Sequence, residues 1–362
     1  MKVSFPLRMG FYQELKSRVN AYFTENQISP HADWRMVLKT IIILGWLATA
    51  YVLLVFFSSS FILAVISAFL VSQGFVLVGF NIMHDGGHGS YSKSKKVNRL
   101  MGFTLDLIGG SQMFWQHKHN ILHHTYTNIN ELDDDIHVGA LMRFSPAQKR
   151  YPWHRFQHWY AFPLYGFMTL AWINYGDFRK FFTGRIGDYK LPKPSPRESV
   201  MFFLTKVFYF GYMLVLPMFF HPIAYVLLFY LFVHFFLGIT MATVFQLAHV
   251  VEDNAFPEPH PVTGEVENEW AIHEVQTTAD FARKNKLAAW YFGGLNFQIE
   301  HHLFPRICHI HYPAISKIVE NTCREFGIKY MAYPTIRAAV VSHVRFLKRL
   351  GKKEPAAVLQ AA

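Results

Sequence analysis

The chain has 362 residues, of which 52% are hydrophobic, 17% aromatic and only 16% charged, where a soluble domain of this size carries about a quarter charged residues. The composition argues against a conventional soluble globule and for a surface that partly faces lipid. The net charge of +11 admits nucleic acid as a partner, but the long apolar runs favour an anionic membrane face; two cysteines, Cys308 and Cys323, allow at most one bridge and suit a reducing compartment.

The opening "MKVSFPLRMGFYQELKSRVN" has no compact apolar core followed by a small-residue cleavage site, and does not read as a signal peptide. Residues 1–36 are too short for a domain and form an N-terminal segment. Four runs reach the ~20 apolar residues that a bilayer crossing requires, at roughly 40–57, 61–83, 201–220 and 223–248. Ser58, Ser59 and Ser60 join the first pair, and little more than His221 and Pro222 joins the second, which predicts two tight helical hairpins. Lys206, near the start of the third run, leaves its limits open.

Neither hairpin tip carries Lys or Arg, so essentially all 35 basic residues share one side with the N-terminus, residues 84–200 and the C-terminal 114 residues. The positive-inside rule assigns that side to the cytoplasm. The competing reading is four buried helices of a soluble protein, which the span lengths disfavour. The expectation is an all-α integral membrane protein, multi-pass, with a membrane domain over 37–340 under a cytoplasmic helical cap. Both termini would be cytoplasmic, in a bacterial inner membrane or an endoplasmic reticulum.

Between the pairs of spans, "WYAFPLYGFMTLAWINY" (159–175) is apolar but interrupted by Pro163; it fits an interfacial segment or a cover over an apolar cavity. The stretch 184–199 is rich in Gly, Pro and Ser and reads as a loop into the third span. The tail, residues 341–362, reads as a basic amphipathic segment with disorder expected after it.

Twenty histidines need an explanation. His84 and His88, in "HDGGH", lie four apart, so on a helix their side chains share one face and can hold one ion. Gly86 and Gly87 weaken that helix yet permit close packing. In "WQHKHNILHHTYTN", His119 and His123 share a face, while His124 is turned about 100° away and can address a second ion. His301 and His302 follow Gln298 in "NFQIEHHLF", and His249 stands alone at the end of the fourth run. Chance alone supplies about one His-His pair, so the dipeptides are weak evidence by themselves. Position strengthens them, because all eight histidines can converge just beneath the membrane on one side. His234 is the only histidine deep within a span.

Imidazole suits Zn, Cu, Fe and Ni, and eight rings exceed the needs of one ion. Structural zinc wants four ligands, often thiolates, and zinc hydrolysis usually needs three ligands and a carboxylate. Two irons able to bind O2 fit a ligand-rich membrane site better. Asp85 and Glu300, inside the boxes, are expected to hydrogen-bond ligating rings as outer partners. Asp133, Asp134 and Asp135 read equally as outer partners or as a solvated acidic run.

"HDGGH", "HKHNILHHTYTN" and "NFQIEHHLFP" resemble the three histidine boxes of the membrane fatty acid desaturases. The glutamine opening the third box is the mark of the front-end subgroup, which includes delta-5, delta-6 and linoleoyl-CoA-type enzymes. The resemblance runs from about residue 60 to 330. It implies a four-span di-iron enzyme that uses O2 and two electrons to place a cis double bond in a fatty acyl chain. It further implies His84, His88, His119, His123, His124, His301 and His302 as iron ligands, and matches His249 to the isolated ligand closing span four. Related desaturases carry a ligating His where Gln298 stands, so that position is water-filled or held by the amide. Many also carry Asn four residues before the isolated His; this chain has Phe245 there, beside Gln246.

Relatives with a fused cytochrome b5 domain bear an HPGG motif that this sequence lacks, so the electrons are expected from a separate protein, ferredoxin or cytochrome b5 with its reductase. Lys93, Lys95, Lys96 and Arg99, or Arg345, Lys348, Arg349, Lys352 and Lys353, can dock such an acidic donor or anionic lipid. The substrate is a fatty acyl group on CoA, a lipid or a carrier protein. Two other functions compete. A lipid hydroxylase or ketolase shares histidine clusters but generally differs in the third box. A metal transporter places its ligands near the bilayer midplane, where this chain has little beyond His234.

Overall fold

A computed structural model describes residues 3–6 and 10–353. Fourteen helical elements are used below. The first is α1 (Phe11–Glu25), followed by α2 (Trp34–Phe56), α3 (Phe61–His88) and α4 (Lys95–Leu107). Next come α5 (residues 112–126), α6 (Gln157–Tyr165) and α7 (residues 168–183). The next two are α8 (Pro196–Met218) and α9 (Ile223–His249), and then α10 (Trp270–Thr277), α11 (Lys286–Tyr291) and α12 (Gln298–Leu303). The chain closes with α13 (Tyr312–Glu325) and α14 (Ile336–Leu350). Two small strand pairs complete the chain: β1 (Arg185–Ile186) antiparallel to β2 (Tyr189–Lys190), and β3 (Asp280–Phe281) parallel to β4 (Ala332–Tyr333).

The molecule is mostly helical, and among the described residues α2, α3, α8 and α9 are the four helices long and apolar enough to cross a membrane. Their limits refine the sequence reading. Asp33 caps α2 by accepting from the Arg35 N–H at 2.9 Å, so this helix starts at Trp34 rather than near residue 40. Ser195 and Glu198 form a capping box with Pro196 in the first turn, so α8 starts at Pro196. Helix α3 continues through the whole of HDGGH instead of stopping at Met83.

Lipid contact and burial divide these helices. Ile41 and Leu44 on α2 and Leu204, Val207 and Phe208 on α8 are exposed, whereas residues 71–86 of α3 are buried all round, as for a helix at the centre of a bundle. Lys206 is tolerated within α8 because its ammonium meets Asp177 at 2.8 Å and donates to the Gly109 and Ile173 carbonyls at 2.6 and 3.2 Å. The same ion pair fastens α7 to the spans.

Outside the spans, α1 buries Phe11, Leu15, Val19 and Phe23 at four-residue intervals in a cluster with Ile315 and Val319 of α13. Helix α14 crosses residues 340 and 341 without a break, burying Phe346, Leu347 and Leu350 beside Tyr165. Residues 354–362, the end of the expected basic tail, lie outside the described residues.

Candidate metal centre and its cavity

Three helix ends and one short helix bring the eight histidines together. On α3 a wide i→i+5 turn spans Val78–Met83, immediately before His84. Such turns shift the phase of a helix and recur at functional sites. Gly86 and Gly87 then permit close approach: a Cβ at Gly86 would meet the Gly102 backbone of α4, and one at Gly87 would meet the Trp115 ring. HDGGH is therefore helical at both glycines, and the missing side chains let box one touch α4 and α5.

Box two lies on α5 within a second wide turn, Gln116–His123. In an i→i+5 turn, residues four and five apart both stack over the first, so His119, His123 and His124 all face inward. The regular-helix expectation that His124 turns away does not hold here, and its Nε2 lies 3.2 Å from the Nε2 of His119. Box three occupies α12. Gly293 precedes it with φ +60°, packed so closely on the Phe80 carbonyl that any side chain would collide. This contact sets box three against α3. His249 ends α9.

The rings form two groups. Nitrogens of His84, His88, His119 and His301 lie within 4.8 Å of one another, as do those of His123, His249 and His302. His124 forms a third such set with His301 and His302, between the two. Gln298 joins the second group, its amide nitrogen 3.0 Å from His249 Nε2; turning the amide by 180° puts its oxygen there instead. His234 stands apart, bonded to Tyr209 and Thr169 at 2.7 and 3.1 Å.

The donor set fits a pair of cations. The Nε2 atoms of His84, His88, His123, His301 and His302 are buried without a hydrogen-bond partner. Buried polar atoms are nearly always satisfied, so five orphaned lone pairs around one space call for an electrophile. Burial, and then the neighbouring rings, holds His119, His124, His301 and His302 well below the ordinary histidine range. They are neutral at pH 7, as metal ligands must be.

The carboxylates that reach the rings are not those inside the boxes. Nδ1 of His123 faces both Asp133 oxygens at 3.1 Å, and Nδ1 of His302 faces Glu274 Oε2 at 2.6 Å. Burial pulls His123 down, but the charge and hydrogen bond of Asp133 outweigh it and leave the ring above the ordinary value. Asp85 instead accepts from Cys308 and His309, each at 2.9 Å, while Lys39 meets the far side of His309 at 3.0 Å. Glu300 accepts from Tyr330 at 2.9 Å. Among the acids at residues 133–135, Asp133 is fully buried on His123, whereas Asp134 and Asp135 pair with Lys118 at 3.2 and 2.9 Å.

Sequence reasoning missed Glu274, Asn128 and Trp115. Asn128, with φ +60°, donates from its side chain to the carbonyls of His249, Ala255 and Thr277, and its N–H holds Asp133 at 2.9 Å. The "TN" that follows box two was the only signal for it. Trp115 stacks on His119 with centroids 4.5 Å apart and planes 25° apart.

A cavity of about 570 Å³ opens from the histidines. His84, His119, His123 and His249 border it, and Phe80, Met83, Met241 and Ala242 carry it along α3 and α9. Segment 159–175 covers this apolar cavity, with Leu164, Met168, Ala171 and Trp172 on its wall. Pocket size and lining suit a long apolar ligand passing two groups of buried imidazoles.

Comparison with known proteins agrees with this geometry. The family model described as fatty acid desaturase matches residues 59–334. The chain is 38% identical to an sn-1 linoleoyl-lipid 6-desaturase of Synechocystis sp., over 97% of this chain and 98% of that protein. It is 42% identical to an acyl-lipid (8-3)-desaturase of Physcomitrium patens, over 95% of this chain and 72% of the other. A third relative, the acyl-lipid (8-3)-desaturase of Mortierella alpina, is 31% identical over 96% and 79% of the two chains. The chain belongs to the fatty acid desaturase family and is an oxidoreductase that desaturates fatty acids.

Proposed function

We propose that this fatty acid desaturase is a di-iron, O2-dependent enzyme of the front-end type, inserting a cis double bond into an acyl chain held in the 570 Å³ cavity. The observation that carries this reading is the meeting of two histidine groups, rich in orphaned imidazole nitrogens, on the wall of an apolar cavity. His84, His88, His119 and His301 would hold one iron, and His123, His249 and His302 the other, with His124 between the two groups and Gln298 beside His249. Two irons there supply the redox chemistry that reduces O2 to water, with two external electrons and two protons, as two hydrogens leave adjacent methylenes.

The chain's own residues provide position and exclusion. Asp133 and Glu274 fix the Nδ1–H tautomers of His123 and His302 and so aim Nε2 at the centre. An acyl chain offers no polar handle at the reacting carbons, so the walls of α3, α7 and α9 must hold one C–C bond beside the histidines. Such apolar fit separates adjacent methylenes by only ~1–3 kcal/mol, so wall substitutions move the double bond more readily than they abolish it.

The relatives named acyl-lipid and linoleoyl-lipid desaturases support an acyl-lipid substrate over acyl-CoA. Electrons come from a separate acidic carrier, ferredoxin or cytochrome b5, docking on the exposed Lys93, Lys95, Lys96 and Arg99 or on Arg345, Lys348 and Arg349. The charge asymmetry of the segments outside the spans supports a centre and both termini on the cytoplasmic side. Expression in a host fed defined fatty acids, with gas chromatography of its lipids, tests the reaction. A new cis double bond must appear with the parent chain and vanish with His123→Ala at equal membrane content. Purified protein should hold close to two irons per chain, and stoichiometric zinc would overturn the redox reading.

A further inference from the structure

The cavity has a polarity axis. Helix α7 turns Met168, Ala171, Trp172, Tyr175, Arg179 and Lys180 toward it. The lining pairs recur every four residues rather than every 3.6, because a wide turn at Trp172–Gly176 slows the helix rotation. Along this wall the side chains change from apolar to cationic. Arg185 of β1 adds a third cation at the same end.

Among the described residues, the acids nearest these charges already have other cations as partners. Lys118 is taken by Asp134 and Asp135, and Asp177 by Lys206. Among the described residues, no carboxylate forms an ion pair with Arg179, Lys180 or Arg185, so at this end of the cavity the four cations Lys118, Arg179, Lys180 and Arg185 outnumber the two acids Asp134 and Asp135. Burial, and then the nearby Lys118 charge, pushes the Lys180 ammonium below the usual lysine range, against the opposing pull of Asp177, Asp134 and Asp135. An esterified acyl chain has no carboxylate of its own. The anion that completes this end must belong to the head to which the chain is attached, and arginine forks match phosphate oxygens.

Depth selects the source of that phosphate. Tyr175 and Phe182 flank the cations and are 65% and 73% exposed. Exposed aromatic side chains beside membrane spans belong at headgroup level, where a bilayer presents phosphodiesters. We propose that Arg179, Lys180 and Arg185 bind the phosphate of a membrane phospholipid, whose acyl chain runs past box two into the apolar end of the cavity. The proposal rests on the desaturase reading above and names its substrate class.

It also gives that reading a geometric cause. The charged neighbours that act on Lys180 are Lys118, Asp177, Asp134 and Asp135, and Asp135 lies 3.5 Å from His123 Nδ1. A head held at Lys180 brings the carboxyl end of the acyl chain beside the histidines, so oxidation falls near that end.

The test is equilibrium binding of labelled dioleoyl phosphatidylglycerol to the full chain in uncharged detergent. Monogalactosyldiacylglycerol with the same chains and oleoyl-CoA serve as competitors. The phospholipid should bind roughly tenfold tighter than the galactolipid, and R179Q/K180M should remove most of that advantage, as expected for lost charge-assisted hydrogen bonds. R185Q, on an exposed strand, should weaken phospholipid binding severalfold and guards against misfolding of the double variant. Equal affinity for the two lipids, tighter binding of oleoyl-CoA, or variants that keep the phospholipid preference would each overturn the proposal. Binding needs neither electrons nor O2. A chain that prefers the phospholipid but makes no double bond would sink the enzymatic reading alone.

Discussion

The two flanks of the histidine cluster are built from different materials. Behind His119 and His301 stand aromatic groups: the stacked Trp115 and the Tyr312 hydroxyl, 3.3 Å from His301 Nδ1. Behind His123 and His302 stand the buried carboxylates Asp133 and Glu274. A carboxylate on the distal nitrogen fixes the tautomer and raises ligand basicity, whereas a stacked indole only holds a ring in place. The lesson is that a nearly uniform set of imidazoles forms two unequal groups, because the difference lies one layer further out. The carboxylate-backed position should bind its cation more tightly.

The largest expected effect tests the acid that backs neither flank's rings. Asp85→Asn leaves Lys39 buried beside His309 without its carboxylate and should destabilise the fold by about 3–5 kcal/mol. Thermal unfolding should show this while metal stoichiometry in the folded fraction stays unchanged; loss of one ion instead would move Asp85 into the ligand-supporting layer. Next come Asp133→Asn and Glu274→Gln, each expected to weaken metal binding ~10–100-fold, bringing metal content by mass spectrometry from two toward one per chain. If both ions persist, the flanks are equivalent and the contrast fails.

A smaller effect concerns pH in metal-stripped protein. His119, His124, His301 and His302 have folded values below 6.5, so the unfolded chain takes up protons first as pH falls. Their contribution is present above about pH 6.5 and should be lost progressively below it, read as a falling melting temperature. His123, held above 6.5 by Asp133, works in the opposite sense: its contribution is complete below 6.5 and fades as pH rises through the folded value. A midpoint independent of pH between 5 and 7 would contradict the buried, neutral cluster. Smallest is Tyr312→Phe, which removes one hydrogen bond to His301 and should lower stability by about 0.5–1.5 kcal/mol, with both ions retained.

The histidines and the four apolar helices were legible because each has a short-range signature: i,i+4 pairs, and runs long enough to span lipid. The supporting acids were not. Asp85 is adjacent to His84, but one residue along a helix turns the side chain by about 100°, so it faces Cys308 and His309. Glu274 has no local mark tying it to His302, since the two meet only when α10 packs beside α12. The inward turn of His124 escaped notice because a wide turn leaves no hydrophobic period to read. Lys206 seemed to blur a span edge, yet Asp177, its partner, lies in a different segment altogether.

Helix α9 runs unbroken for 27 residues from Ile223 to His249. It therefore serves as a graduated rod: at a rise of ~1.5 Å per residue, Gln246, Phe245, Ala242 and Met241 stand at increasing depth from His249 along the cavity. Where an inserted chain meets an obstruction is then a matter of which mark bears a bulky group. Trimming or thickening a single rung would retune the accepted tail while the histidine end of the rod stays untouched.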